Sequence, residues 1–227
     1  MQICPSILEY NAEDYFTTIK KLSPYYKYFQ IDFADGIYID NKTASLDDFI
    51  FDLKKQSNNE TMKQFIFDFH FMVKNYEDYI KKISGLKNKI NIKNVFIHYD
   101  LVKERSLDSL RSLGMTGGET IGLVLNPQDK ISDLASKYDL NKVAFLQIMS
   151  IAPGAQGKPF IPETLNKVEQ LRELGYRYKI YLDGAVNDKT LPIINSQKFK
   201  PDFVCPGSYL TKTDKLKEHV DYLLKYT

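Results

Sequence analysis

The chain has no tryptophan, only two cysteines and three histidines among 227 residues, and a net charge of just +2 at neutral pH. Each shortage excludes something. Cys4 and Cys205 stand far apart and make neither a CxxC pair nor a disulfide framework, so both read as reduced, small, buried hydrophobes. The near balance of charge supplies no overall field to draw a nucleic acid or an anionic membrane, and any anion has to be held locally. No run approaches the roughly 18 apolar residues of a membrane span. The opening MQICPSILEY lacks the basic region and long apolar core of a secretory signal, which makes the cytoplasm the expected location. No Pro/Ser-rich linker or low-complexity tract divides the sequence, so one domain over residues 1–227 is expected.

What is present is a recurrence of apolar, β-rich runs of about five to nine residues, each followed by a longer segment with helical spacing, the pattern of βα units. Eight strands are predicted, over 2–7, 28–34, 64–72, 95–100, 120–126, 142–150, 179–184 and 203–207. The clearest helices are 11–22 behind Asn11, 162–174 opening with Pro162 and Glu163 and closing at Gly175, and 212–225. Eight alternations of strand and helix point to an α/β fold of the (β/α)8 TIM-barrel class, with an open doubly wound sheet as the alternative.

In such a barrel, residues of one parity on each strand face inward, and polar ones near the strand's C-terminal end face the active-site mouth. On the second predicted strand Gln30, Asp32 and Ala34 share a parity against Phe29, Ile31 and Phe33. On the third, Asp68, His70 and Met72 stand against Phe67, Phe69 and Phe71, and the seventh ends in Asp183. Two carboxylates, an imidazole and a carboxamide at one rim are costly unless something charged binds there, and a divalent cation suits them. Taken singly, an Asp at a strand end is more often a cap or turn former. Asp35, of the opposite parity and next to Gly36, reads as a turn residue. His98 reads as a packed or supporting histidine, and His219 as surface helix.

Small residues cluster in three successive loops: Pro153-Gly154-Ala155-Gln156-Gly157, Gly184-Ala185, and Gly207-Ser208. Backbone N–H groups in such loops can approach an anion closely, and the last loops of a barrel often hold phosphate. Each glycine alone is as readily an ordinary turn.

With these residues in view, the chain resembles the ribulose-phosphate 3-epimerase family along almost its full length. The matching segments run in order: Pro5-Ser6-Ile7-Leu8, IDFADG at 31–36, DFHFMV at 68–73, GLVLNP at 122–127, MSIAPGAQGKPFIPE at 149–163, LDGAVN at 182–187 and PGS at 206–208. The resemblance implies an isomerase that inverts C3 of a ketose phosphate, of the ribulose 5-phosphate/xylulose 5-phosphate or allulose 6-phosphate type. It makes Asp32 and Asp183 the two acid/base residues, and Ser6, His70, Met72 and Met149 part of the substrate pocket. It assigns the phosphate to Gly154, Ala155, Gln156, Gly157, Gly184, Ala185, Gly207 and Ser208. It implies one divalent metal ion, zinc, manganese, magnesium or iron, on Asp32, His70 and Asp183, with Gln30 where the family usually has a histidine.

Gln30 is the most informative departure. A neutral carboxamide oxygen is harder than an imidazole nitrogen, so weaker zinc affinity and relatively better tolerance of magnesium or manganese are expected, with loss of metal binding as the other reading. Ala34, Ala152, Gln156 and Ala185 also differ from the family's usual residues and suggest a peripheral sugar-phosphate substrate. Two other functional classes stay open: a barrel lyase such as a hexulose-phosphate synthase or a decarboxylase, and a non-catalytic sugar-phosphate binder. The expected partner is a small-molecule sugar phosphate, with neither nucleic acid nor membrane. The 16 tyrosines fit a homo-oligomer interface as well as ordinary half-exposed surface, and a homo-oligomer is expected.

Overall fold

The computed structural model describes residues 1–55, 60–86, 88–102, 120–153 and 156–227. The chain gathers into two compact units, Ser6–Ile121 on one side and Met1–Pro5 with Gly122–Thr227 on the other. In the first unit the strands β2 (Ser6–Ile7), β3 (Tyr28–Ala34), β4 (Ile66–Met72) and β5 (Asn91–His98) pair in that order, all parallel. In the second, β6 (Thr120–Leu125), β7 (Phe145–Met149), β8 (Lys179–Asp183), β9 (Phe203–Cys205) and β1 (Gln2–Ile3) do the same.

All eight predicted strands are found, with the fourth at Asn91–His98 in place of 95–100, the sixth at Phe145–Met149 in place of 142–150, the last ending at Cys205, and the first divided. The run 2–7 is two short strands, because Pro5 carries no N–H for a ladder and the chain changes pairing partner there: β1 pairs with β9 and β2 with β3. The predicted helix after β5 falls on residues outside the described set.

The helices form where the amphipathic spacing puts them. In α1 (Ala12–Leu22) the buried residues are Ala12, Tyr15, Phe16, Ile19 and Leu22, with acidic Glu13 and Asp14 in the first turn and Lys20 and Lys21 in the last, as the helix dipole favours. The helix α2 (Leu46–Lys55) opens on Ser45, whose hydroxyl accepts the Asp48 N–H at 3.0 Å. The predicted helix at 162–174 starts as a 3₁₀ turn, Pro162–Leu165, and continues as the α-helix Asn166–Glu173. Gly175, at φ 86°, closes it in the left-handed conformation while the Tyr176 N–H reaches back to the Leu171 carbonyl at 3.0 Å.

The parity rule holds in the first unit. Phe33 meets Tyr15, Phe49, Phe69 and Phe71 at ring separations of 5.5–6.2 Å, so this set of β3 and β4 faces the helices. The opposite set, Gln30, Asp32, Asp68 and His70, is polar and buried. A sheet face this rich in buried phenylalanine is fixed in register, since a slip of one residue would carry the charges into the aromatic layer.

Candidate functional site

Asp32, near the C-terminal end of β3, is 5% exposed. A carboxylate so buried needs hydrogen-bond donors. Its Oδ1 accepts the Gln30 Nε2–H at 2.9 Å and lies 3.2 Å from His70 Nδ1, the neighbour in register on β4. Behind it, the Tyr15 hydroxyl of α1 donates to the Asp32 backbone carbonyl at 2.7 Å, tying the strand end to the helix. His70 and His98 are both fully buried, and their Nε2 atoms are 3.0 Å apart. Met72 and Ala34 pack with Leu8 under Tyr38 and Ile39, forming an apolar wall beside these polar groups. Ser6, also buried, stands in register with Gln30.

Parity alone does not reveal depth along a strand, and Asp68 shows why. It shares His70's parity but lies two residues earlier, where it accepts from the Tyr28 hydroxyl and from the Asn94 backbone N–H. Complete burial pushes its carboxyl up to about 7 against the lowering effect of Tyr28 and Lys93. It is a structural acid, separate from the rim. Asp35 is the turn former expected of it: its carboxylate accepts the N–H groups of Ile37, Tyr38 and Lys74. Partial burial raises its pKa, but those three donors outweigh that and hold it below the usual carboxylate value. His219 lies half-buried on the last helix, stacked on Tyr209 at 3.9 Å.

In the second unit Asp183 ends β8 and is 6% exposed. Its Oδ2 accepts the Nε2–H of Gln147 at 3.0 Å, and the same amide nitrogen lies 3.7 Å from the sulfur of Met149. Met149 is in register with Asp183. The Ser150 backbone N–H and hydroxyl both donate to the Asp183 carbonyl, at 2.7 and 3.0 Å, and the hydroxyl also reaches the Gly184 carbonyl at 2.6 Å.

Gly184 is required on two counts: its φ is 116°, and a Cβ there would stand 2.6 Å from Ile151 Cγ1 and 3.0 Å from the Ile151 nitrogen. Ala185 follows at φ 51°, a conformation uncommon for a residue with a Cβ. The Thr190 hydroxyl and the Asn187 amide, at 2.6 and 3.0 Å from its carbonyl, hold it there. Of the earlier loop, Gly154 and Ala155 lie outside the described residues. Lys158 Nζ reaches back to the Pro153 carbonyl at 2.8 Å, with Gln156 and the left-handed Gly157 between them. Gly207 precedes the short helical turn Ser208–Thr211.

Gln147 and Ser150 are site residues that the sequence reading did not single out. Gln147 was findable, since it has the parity of Met149 and is the one polar residue within Phe145–Met149.

Each unit supplies buried donors of a kind that can hold a metal ion, Asp32 and His70 in the first and Asp183 in the second. The donor chemistry fits a divalent cation: carboxylate oxygens and an imidazole nitrogen together serve zinc, manganese or iron, while oxygens alone would favour magnesium or calcium. No helix among the described residues is long and apolar enough to cross a membrane.

A protein of Helicobacter pylori (strain ATCC 700392 / 26695) named ribulose-phosphate 3-epimerase is 29% identical over 98% of this chain and 96% of its own length. One of the same name from Methanocaldococcus jannaschii is 25% identical over 86% of this chain and 77% of its own. Among solved structures, 3-hexulose-6-phosphate synthase from Salmonella typhimurium superposes with a TM-score of 0.68 at 11% identity, covering 100% of both chains. KGPDC from Streptococcus mutans in complex with D-R5P does so at 0.67 and 11%, covering 99% of this chain and 97% of its own. At such identities these two likenesses speak for fold alone, the α/β (β/α)8 TIM-barrel class. The family model of the ribulose-phosphate 3 epimerase family matches residues 2–210, and the chain therefore belongs to that family of isomerases.

Proposed function

We propose that the protein inverts C3 of a ketose phosphate, of the ribulose 5-phosphate/xylulose 5-phosphate or allulose 6-phosphate type, with Asp32 and Asp183 as the two acid/base groups. The observation that carries this reading is the matched setting of the two carboxylates. Each is buried, lies at or near the end of a strand, and accepts a hydrogen bond from a glutamine side chain. A carboxamide N–H orients a carboxylate without neutralising it, so the charge remains available to take a proton.

One Asp accepts the C3 proton as the C–H bond breaks, and its pair of electrons moves into a planar enediolate. The other Asp, protonated beforehand, returns a proton to the opposite face. The two carboxyl groups thereby exchange protonation states, and solvent resets them. Asp32, His70 and Asp183, with Gln30 adjoining, would hold the divalent cation. When bound, the cation supplies electrostatic stabilisation of the negative charge that develops beside the ketone.

Met72, Met149 and Ser6 line the sugar, and the loops carrying Gly157, Gly184 and Gly207-Ser208 receive the phosphate. The whole chain acts as a single barrel in the cytoplasm, as a homo-oligomer. The lyase alternative finds no specific support, because the likeness to 3-hexulose-6-phosphate synthase carries the fold and not the reaction.

The test is proton NMR in deuterated water with a panel of pentulose and hexulose phosphates and added divalent cations. Deuterium should enter C3 with formation of the epimer. In Asp183→Asn and Asp32→Asn, epimerisation should fall by about 10²–10⁴-fold. Failure of every ketose phosphate in the panel to exchange its C3 hydrogen would eliminate the reading.

A further inference from the structure

The contact between His70 and His98 has a consequence that reaches the cation site. Two imidazole nitrogens 3.0 Å apart share one proton: if both carried one they would repel, and if neither did there would be no bond. The other nitrogen of His70, Nδ1, is the one directed at the Asp32 carboxylate, 3.2 Å away. A nitrogen that gives its lone pair to a cation carries no proton, so a neutral His70 serving as ligand through Nδ1 must keep its proton on Nε2. The acceptor standing at Nε2 is His98.

We propose that His98 is the positioning residue that fixes the tautomer and ring orientation of His70, leaving Nδ1 as the donor atom at the cation site. The inference rests on the proposed cation for its functional meaning and on the ring contact for its structural meaning. Three features make His98 fit for the role. It is fully buried at the end of β5, so water does not compete for its Nε2. The His70 and His98 rings lie 5.1 Å apart with an interplanar angle of 31°. The ring of Tyr38 also packs on it at 4.9 Å, and the Tyr38 hydroxyl is anchored on the Asp100 carboxylate at 2.9 Å, two residues beyond His98. The imidazole is thus in contact with a partner ring and with an aromatic neighbour whose own position is set by a hydrogen bond. Partners that hold the second nitrogen of a metal-binding histidine commonly alter metal affinity by 10–100-fold when removed.

The experiment compares the wild-type chain with His98→Phe, which keeps a ring but no acceptor, and His98→Gln, which keeps an acceptor. With only three histidines in the chain, ¹⁵N labelling of histidine side chains reports each ring separately. In the metal-free wild type, a coupling across the shared proton should connect His70 Nε2 to His98 Nε2. In His98→Phe that coupling vanishes and the His70 shifts move to a different tautomer population. Co²⁺, added alone and measured by competition with a coloured chelator, should bind His98→Phe about 10–100-fold more weakly, while His98→Gln recovers most of the loss. His70 shifts unchanged in His98→Phe would overturn the proposal, as would wild-type Co²⁺ affinity in that variant. If the wild type shows the coupling and the tautomer change but binds no divalent cation, the positioning role stands and the cation reading above is what fails.

Discussion

The two carboxylates are supported in different ways. Asp32 is braced from outside its strand by a hydroxyl arriving from α1, and it stands beside an imidazole pair spanning β4 and β5. Asp183 is braced by its own backbone turn: Ser150 holds the last carbonyls of β8, and Gly184 occupies a conformation and a space closed to other residues. What they share is one glutamine donor each. The side-chain-braced acid should tolerate loss of one support, because others remain. The turn-braced acid should be brittle, because its geometry depends on a single backbone conformation.

The sharpest break is Gly184→Ala. Adding a Cβ at φ 116° combines backbone strain with a contact at 2.6 Å to Ile151, which packs against the turn. The expected loss is on the order of 3 kcal/mol of stability, read as a lower denaturant midpoint at unchanged slope. Epimerase activity should fall even where the variant remains folded, since the shift is passed directly to Asp183. A variant of wild-type stability would show that the turn is looser than its contacts imply.

The glutamines test the shared feature. Gln147→Leu and Gln30→Leu each remove a hydrogen bond to a charged acceptor, worth about 1.5–3 kcal/mol, or roughly 10–100-fold in kcat. The comparison predicts the larger loss for Gln147, because the Asp32 end of β3 retains the Tyr15 hydroxyl when Gln30 is removed. Steady-state kinetics of the two variants on one substrate decides it. Equal losses would show that the Tyr15 hydroxyl adds nothing to the orientation of Asp32.

These contrasts were partly legible in the sequence. Alternation of phenylalanine with polar residues in YFQIDFA and FDFHFM reveals both the strand period and the inward set, because a buried sheet face next to helices must be apolar. That places Asp32 and His70 without coordinates. The same alternation could not separate Asp68 from His70, since depth along a strand is fixed by neighbours such as Tyr28 and Asn94 that come from β3 and β5. Gln147 went unremarked because FLQIM holds a single polar residue and nothing local says that its partner is a carboxylate from β8. The Tyr15 brace was invisible for a related reason: its spacing in α1 is that of any core aromatic, and only the fold brings its hydroxyl to the end of β3.

Tyr15→Phe is accordingly the mildest test. Burial holds the Tyr15 hydroxyl well above the usual phenol range, so it remains a donor throughout the working pH range. Removing it leaves the ring's packing against Phe33 and Phe49 intact and takes one donor from the Asp32 carbonyl. The cost should be about 1 kcal/mol in stability. Because Gln30 still holds the carboxylate itself, kcat should change by less than the Gln147→Leu loss. A Tyr15→Phe variant as damaging to turnover as Gly184→Ala would mean that both acids depend on one brace each, and the distinction between side-chain and turn support would collapse.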